Sequence, residues 1–107
     1  MQTSNYARNS NNPNAVAISR GIPKWYEGRR YLPLAPPWDL LKVKDAQLYY
    51  QLYHEQVLSR LDPHQVYADL GPEAILLCWE SPGKFCHRRI VAEWLETALG
   101  IKIEEKL

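Results

Sequence analysis

Twelve residues, Cys78 to Arg89, hold two cysteines, a histidine, a glutamate and three cations: Cys78, Glu80, Lys84, Cys86, His87, Arg88 and Arg89. The run Cys78-Trp79-Glu80-Ser81-Pro82-Gly83-Lys84-Phe85-Cys86-His87-Arg88-Arg89 reads as the end of a strand, a Gly/Pro turn and the start of a helix. Backbone N–H groups at a helix start have no intrahelical partner, and with the helix dipole they attract anions. Basic side chains there oppose that dipole, at a cost of ~0.3–1 kcal/mol each. Such a cluster is expected where a ligand supplies the negative charge, with Arg88 and Arg89 among its binding residues. The alternative is surface pairing of Arg88 and Arg89 with Glu80, Glu93 or Glu96.

Three side chains in this run are candidates for catalysis. Cys86 at a helix start beside His87 has the setting that lowers a thiol pKa and makes a nucleophile. The spacing is not Cys-x5-Arg, because the arginine position is Lys84 counted from Cys78 and Ala92 counted from Cys86. The alternative for Cys86 is a small buried hydrophobe. Glu80 follows an apolar run, where a carboxylate needs a partner or a shifted pKa, and it is the candidate general acid or base together with His87. Zinc accepts S, N and O donors, so Cys78, Glu80, Cys86 and His87 are chemically possible ligands. Without a Cys-x2-Cys pair, and with Cys78 inside an apolar strand, no metal centre is expected.

A second group is Arg20-Gly21-Ile22-Pro23-Lys24-Trp25-Tyr26-Glu27-Gly28-Arg29-Arg30-Tyr31. Cations alternate with aromatic rings, a mixture that holds a base by stacking and a phosphate by charge. Arg20, Lys24, Trp25, Tyr26 and Arg29 are therefore candidate ligand-binding residues. The competing reading makes this stretch a lid with Trp25 and Tyr31 tucked against the core. His54 and His64 lie in helical stretches with no partner motif and are read as structural or surface residues.

These groups need elements to position them. The continuous apolar run Ile75–Trp79 suits a strand covered on both faces. Ala15–Ser19 is expected to be the first strand, and Ile101–Glu104, which alternates, a final strand at an edge. A helix is expected from an Asp45 cap to about Leu61, with Ala46, Tyr49, Tyr50, Tyr53, Val57 and Leu61 on its buried stripe. A short helix follows Asp62-Pro63 and closes at Gly71-Pro72. The last helix runs from about Cys86 to Leu99, with Gly100 as its stop. Residues 21–37 hold four prolines and two glycines, which argues for a long loop, and such loops in small domains are often functional.

This order predicts a small α/β domain with a short, mainly parallel sheet of about three strands flanked by helices. Ligands in such sheets bind beyond the carboxyl ends of the strands, here Arg20-Gly21 and Trp79-Glu80. Residues 15–107 form that single domain, and the asparagine-rich residues 1–14 are expected to be a flexible arm. The chain of 107 residues has no room for a second core of ordinary size. No apolar stretch approaches the ~20 residues that span a bilayer, and no secretory h-region is seen, so a cytoplasmic location is expected.

The net charge of +1 conceals an asymmetry: residues 1–44 carry seven Lys/Arg against two acids, and residues 45–107 carry six against ten. A basic first half favours an anionic partner. Four Trp and seven Tyr against one Phe suit half-exposed pocket walls and interfaces.

Ala17–Tyr26, Leu34-Ala35-Pro36, and above all Leu77-Cys78-Trp79-Glu80 followed by Cys86-His87-Arg88, resemble the YeaO-like proteins of a domain-of-unknown-function family. The resemblance covers roughly residues 15–105 and rests on a C-x-E … C-H-R pattern. It implies a small bacterial or phage α/β protein and directs attention to Cys78, Glu80, Cys86, His87 and Arg88. It implies no activity and no cofactor.

The function expected from the residues is binding of a phosphate-bearing ligand, a nucleotide or nucleic-acid component, in a site built from loops 20–37 and 80–89, with or without catalysis. The alternative is a non-catalytic protein-interaction factor, such as a phage-type inhibitor or accessory subunit, using its aromatic surface. Direct nucleic-acid binding ranks last, since no long basic run or DNA-reading motif is present, and no membrane partner is expected.

Overall fold

The computed structural model describes residues 1–80 and 85–106. Five short strands form one sheet: β1 (Gln2–Asn5), β2 (Ala15–Ala17), β3 (Arg29–Arg30), β4 (Ile75–Cys78) and β5 (Glu104–Glu105), in spatial order β3-β2-β4-β1-β5. All four pairings are parallel. The α/β class and parallel sheet agree with the sequence, with five strands rather than about three.

Helices α1 (Tyr6–Asn9), α2 (Ala46–Gln56), α3 (Pro63–Leu70) and α4 (His87–Leu99) supply the other layers. Alternation along the central strands sorts side chains onto two cores. Val16 and Leu76 face the larger one, with Tyr53, Val66, Val91 and Leu95 from the three longer helices. Ala15, Ala17, Ile75 and Leu77 face the smaller one, closed by Tyr6 and Tyr26. A parallel sheet covered on both faces requires such all-apolar strands.

Local chemistry sets the helix ends. The Asp45 carboxylate accepts from the N–H groups of Gln47 and Leu48, and Asp62 accepts from His64 with Pro63 in the first turn. Helix α2 is shorter than expected: it stops at Gln56 and a 3₁₀ turn, Leu58–Arg60, follows. Tyr49, Tyr53 and Val57 are buried as expected, whereas Ala46 and Tyr50 are exposed. At the end of α4, Gly100 takes φ +67°, the left-handed conformation that favours glycine.

The first residues overturn an expectation. The loose arm over residues 1–14 is instead strand β1, seated between β4 and β5, followed by α1. Thr3 and Ser4 are fully buried. Their polar groups are satisfied internally: Thr3 Oγ1 donates to Glu105, Ser4 Oγ donates to the carbonyl of Lys106, and Asn9 Nδ2 donates to Ser4 Oγ. A polar segment can occupy a sheet interior once every donor and acceptor is paired. The final strand is also displaced, to Glu104–Glu105, and lies at an edge as expected.

Candidate functional site

Strands β2 and β4 are neighbours and parallel, so their carboxyl ends deliver Ile18–Gly21 and Cys78–Glu80 to the same end of the sheet. A pocket of about 320 Å³ opens there, lined by Ser19, Arg20, Gly21, Pro36, Trp38, Leu41, Val43, Tyr49, Cys78, Trp79, Glu80, Phe85, Cys86 and His87. The two loops singled out in the sequence therefore meet. The Trp79 indole N–H donates to the carbonyl of Gly21 at 2.9 Å and ties them together. A Cβ added at Gly21 would lie 3.8 Å from the Trp38 ring, so two indoles flank this glycine.

The walls are aromatic and exposed. Trp38, Trp79 and Phe85 are 62%, 54% and 47% exposed, which is unusual for side chains of this size in one place. Phe85 packs edge-on against Tyr49, with ring centroids 5.1 Å apart, and Trp79 packs edge-on against Tyr6 at the same distance. Trp38, Tyr49 and Phe85 were not among the residues picked from sequence. Their signal was the surplus of amphipathic aromatics, which says nothing about which rings converge.

The floor is Cys78, Cys86 and His87, all buried. The two cysteines are joined as a disulfide. They meet because one sits at the end of β4 and the other caps α4. As a disulfide, Cys86 carries no thiolate, so in this state it is not the nucleophile expected of it. His87 Nε2 lies 2.7 Å from the carbonyl of Ile18, so Nε2 bears the proton and donates. Nδ1 is then the unprotonated nitrogen, 3.8 Å from Cys86 Sγ. Burial pulls the His87 pKa down to about 4, assisted by the Arg88 charge and opposed by the Ile18 hydrogen bond. Its ring is neutral at pH 7.

The expected cations do not converge on this pocket. Arg88 is 1% exposed and lies behind the floor, with Nε and Nη2 on the Glu105 carboxylate and Nη1 3.1 Å from Cys78 Sγ. Burial pushes the Glu105 carboxyl up, but hydrogen bonds from Arg88 and Thr3 and the charges of Arg88 and Arg89 outweigh it, leaving it below its usual value. Arg89 donates to Thr3 Oγ1 and the Ile103 carbonyl, holding β5 to β1. Arg29 donates to the carbonyls of Asp69 and Leu70 at the end of α3. Each guanidinium is engaged by acceptors on other elements, a demand invisible in local sequence.

Arg20 does line the pocket, though Nε and Nη2 donate to the carbonyls of Pro36 and Ala35. Tyr26 is buried, its hydroxyl on the Arg29 carbonyl. Trp25 lies in a separate depression with Asn11, Asn12 and Glu27, and the exposed Lys24 lines neither cavity. Glu80 is exposed at the pocket rim, pairs with no described residue, and makes no described contact with His87. Residues 81–84, Lys84 among them, fall outside the described residues.

No helix among the described residues is long and apolar enough to cross a membrane. Comparison with protein-family models, with curated proteins and with solved structures gave no match.

Proposed function

We propose that this domain binds a planar, phosphate-bearing small ligand, a nucleotide or nucleic-acid component, in the pocket at the carboxyl ends of β2 and β4. The observation that carries this reading is the convergence of Trp38, Trp79 and Phe85 around one opening of about 320 Å³. That volume falls in the range of small-ligand sites, and stacking of a base on an aromatic face contributes about 1–3 kcal/mol. The phosphate would meet Arg20 and the amino end of α4, where no side chain caps the first turn. Arg88 and Arg89 belong to the framework in this reading. Glu80, exposed at the rim, would be the group to exchange a proton with a bound ligand in this reading.

Calorimetric titration with nucleoside monophosphates, nucleosides and inorganic phosphate tests this. A monophosphate should bind more tightly than either fragment, and Trp79→Ala should weaken it about tenfold or more. Equal silence from wild type and variant across the panel would discard the proposal. A mouth with indoles more than half exposed also suits a protein partner. Stoichiometric capture of a protein that masks Trp38 and Trp79, with no small-molecule binding, would favour that reading.

A further inference from the structure

We infer that the pocket floor is a redox-gated site for a soft divalent cation of the zinc class, with Cys78 Sγ, Cys86 Sγ and His87 Nδ1 as its three protein donors. This goes beyond the ligand proposed above and holds whatever that ligand is.

The geometry comes first. The donor atoms of Cys78, Cys86 and His87 all lie within 4.8 Å of one another. Two thiolates on one zinc, each at ~2.3 Å, cannot be further apart than about 4.6 Å, so donors clustered on this scale can share one ion once the S–S bond is broken and the two sulfurs part. The histidine is already set for the role. Its Nε2–H is spent on the Ile18 carbonyl, which fixes the tautomer and leaves the Nδ1 lone pair on the cysteine side. A backbone carbonyl behind a ligating imidazole is the usual outer support of a metal-bound histidine.

Electrostatics agree. Two thiolates neutralise a divalent ion, and the Arg88–Glu105 pair behind Cys78 is itself neutral, with Nη2 and Oε2 2.7 Å apart. A cation in this buried place would have its charge compensated. The Arg88 Nη1–H aimed at Cys78 Sγ favours the thiolate. Cys78, Cys86 and His87 all line the aromatic pocket, so water or a ligand atom from that pocket would complete the site, as in an open site rather than a closed structural one.

The disulfide is the closed state of this gate. Its reduction takes two electrons and two protons and yields two thiols; a phosphine reductant supplies the electrons, becoming the phosphine oxide with oxygen from water. Binding the cation then releases the two thiol protons.

The test uses the full chain with cobalt(II) as a spectroscopic stand-in for zinc. Phosphine-reduced wild type, titrated without oxygen, should develop a near-ultraviolet thiolate-to-cobalt charge-transfer band that saturates at one equivalent and is abolished by zinc. Disulfide-form protein should show none. His87→Gln, which keeps an N–H for the Ile18 carbonyl but loses the imidazole donor, should bind cobalt more weakly by about tenfold or more. Cys86→Ser should lose most of the band, with circular dichroism confirming its fold. If that variant does not fold, the contrast between reduced and disulfide wild type decides. Folded, reduced wild type without the band overturns the inference, as does a band that His87→Gln or Cys86→Ser leaves unchanged.

Discussion

Lowering the pH from 7 to 5 should destabilise the protein through one side chain. His87 is neutral in the folded state, with its pKa lowered from the ordinary 6.5 to about 4 chiefly by burial. In the unfolded chain the same imidazole takes up a proton below about 6.5. Between those two values the unfolded state binds more protons than the folded one, so stability is retained above 6.5 and lost as the pH falls towards 4. The full difference corresponds to roughly 3 kcal/mol, of which about 2 kcal/mol should be lost by pH 5. The depressed carboxyls of Glu105 and Asp69 act only below the ordinary carboxylate range, so they do not contribute in this window.

The assay is urea unfolding of the disulfide form, with chelator present, at pH 7 and pH 5. A loss of this size should move the wild-type midpoint down by about 1–2 M. His87→Gln cannot be protonated and keeps a donor for Ile18, so its midpoint should move by less than a third as much. Equal shifts in wild type and His87→Gln would refute the assignment of the pH dependence to this buried ring.

Three further outcomes follow from the packing. Arg88→Ala leaves Glu105 without its guanidinium partner and opens space behind Cys78, so chemical denaturation should show a loss of about 3–5 kcal/mol; a loss under 1 kcal/mol would mean the pair is not structural. Gly28→Ala would drive a methyl group into the Tyr26 hydroxyl, and because that ring is buried and bonded to the Arg29 carbonyl it cannot swing away, so thermal unfolding should report a cost of about 1–3 kcal/mol. Tyr53→Phe strips the Leu34 carbonyl of its buried donor, 2.6 Å away, and should cost about 1–3 kcal/mol by the same measurement with little change in overall fold.

Sequence reasoning reached the parts of this molecule that short-range physics controls. Asp45 and Asp62-Pro63 start helices because a carboxylate two or three residues ahead of free N–H groups is a local device. The apolar runs at 15–19 and 75–79 contain the strands Ala15–Ala17 and Ile75–Cys78 because only a doubly covered sheet takes them, and the chain leaving their carboxyl ends converges on one pocket. It failed where partners lie far along the chain. Gln2-Thr3-Ser4-Asn5 has the composition of a disordered segment, yet its Thr3 and Ser4 hydroxyls donate to Glu105 and Lys106, more than a hundred residues later. Arg29 among aromatics and Arg88 and Arg89 at a helix start suggest a ligand, while carbonyls and a carboxylate from other elements claim them. The pairing of Cys78 with Cys86 depends on how β4 hands over to α4, which spacing does not determine.

The central claim, that the aromatic mouth at the ends of β2 and β4 is the ligand site, is tested most directly by the indole N–H resonances of the four tryptophans during titration with a nucleoside monophosphate. Trp38 and Trp79 line the pocket, whereas Trp25 sits in another depression and Trp94 packs on the helical core. Saturable shifts of Trp38 and Trp79, with Trp25 and Trp94 unmoved, are the predicted result. Shifts confined to Trp25 or Trp94, or four resonances that stay still, would contradict it.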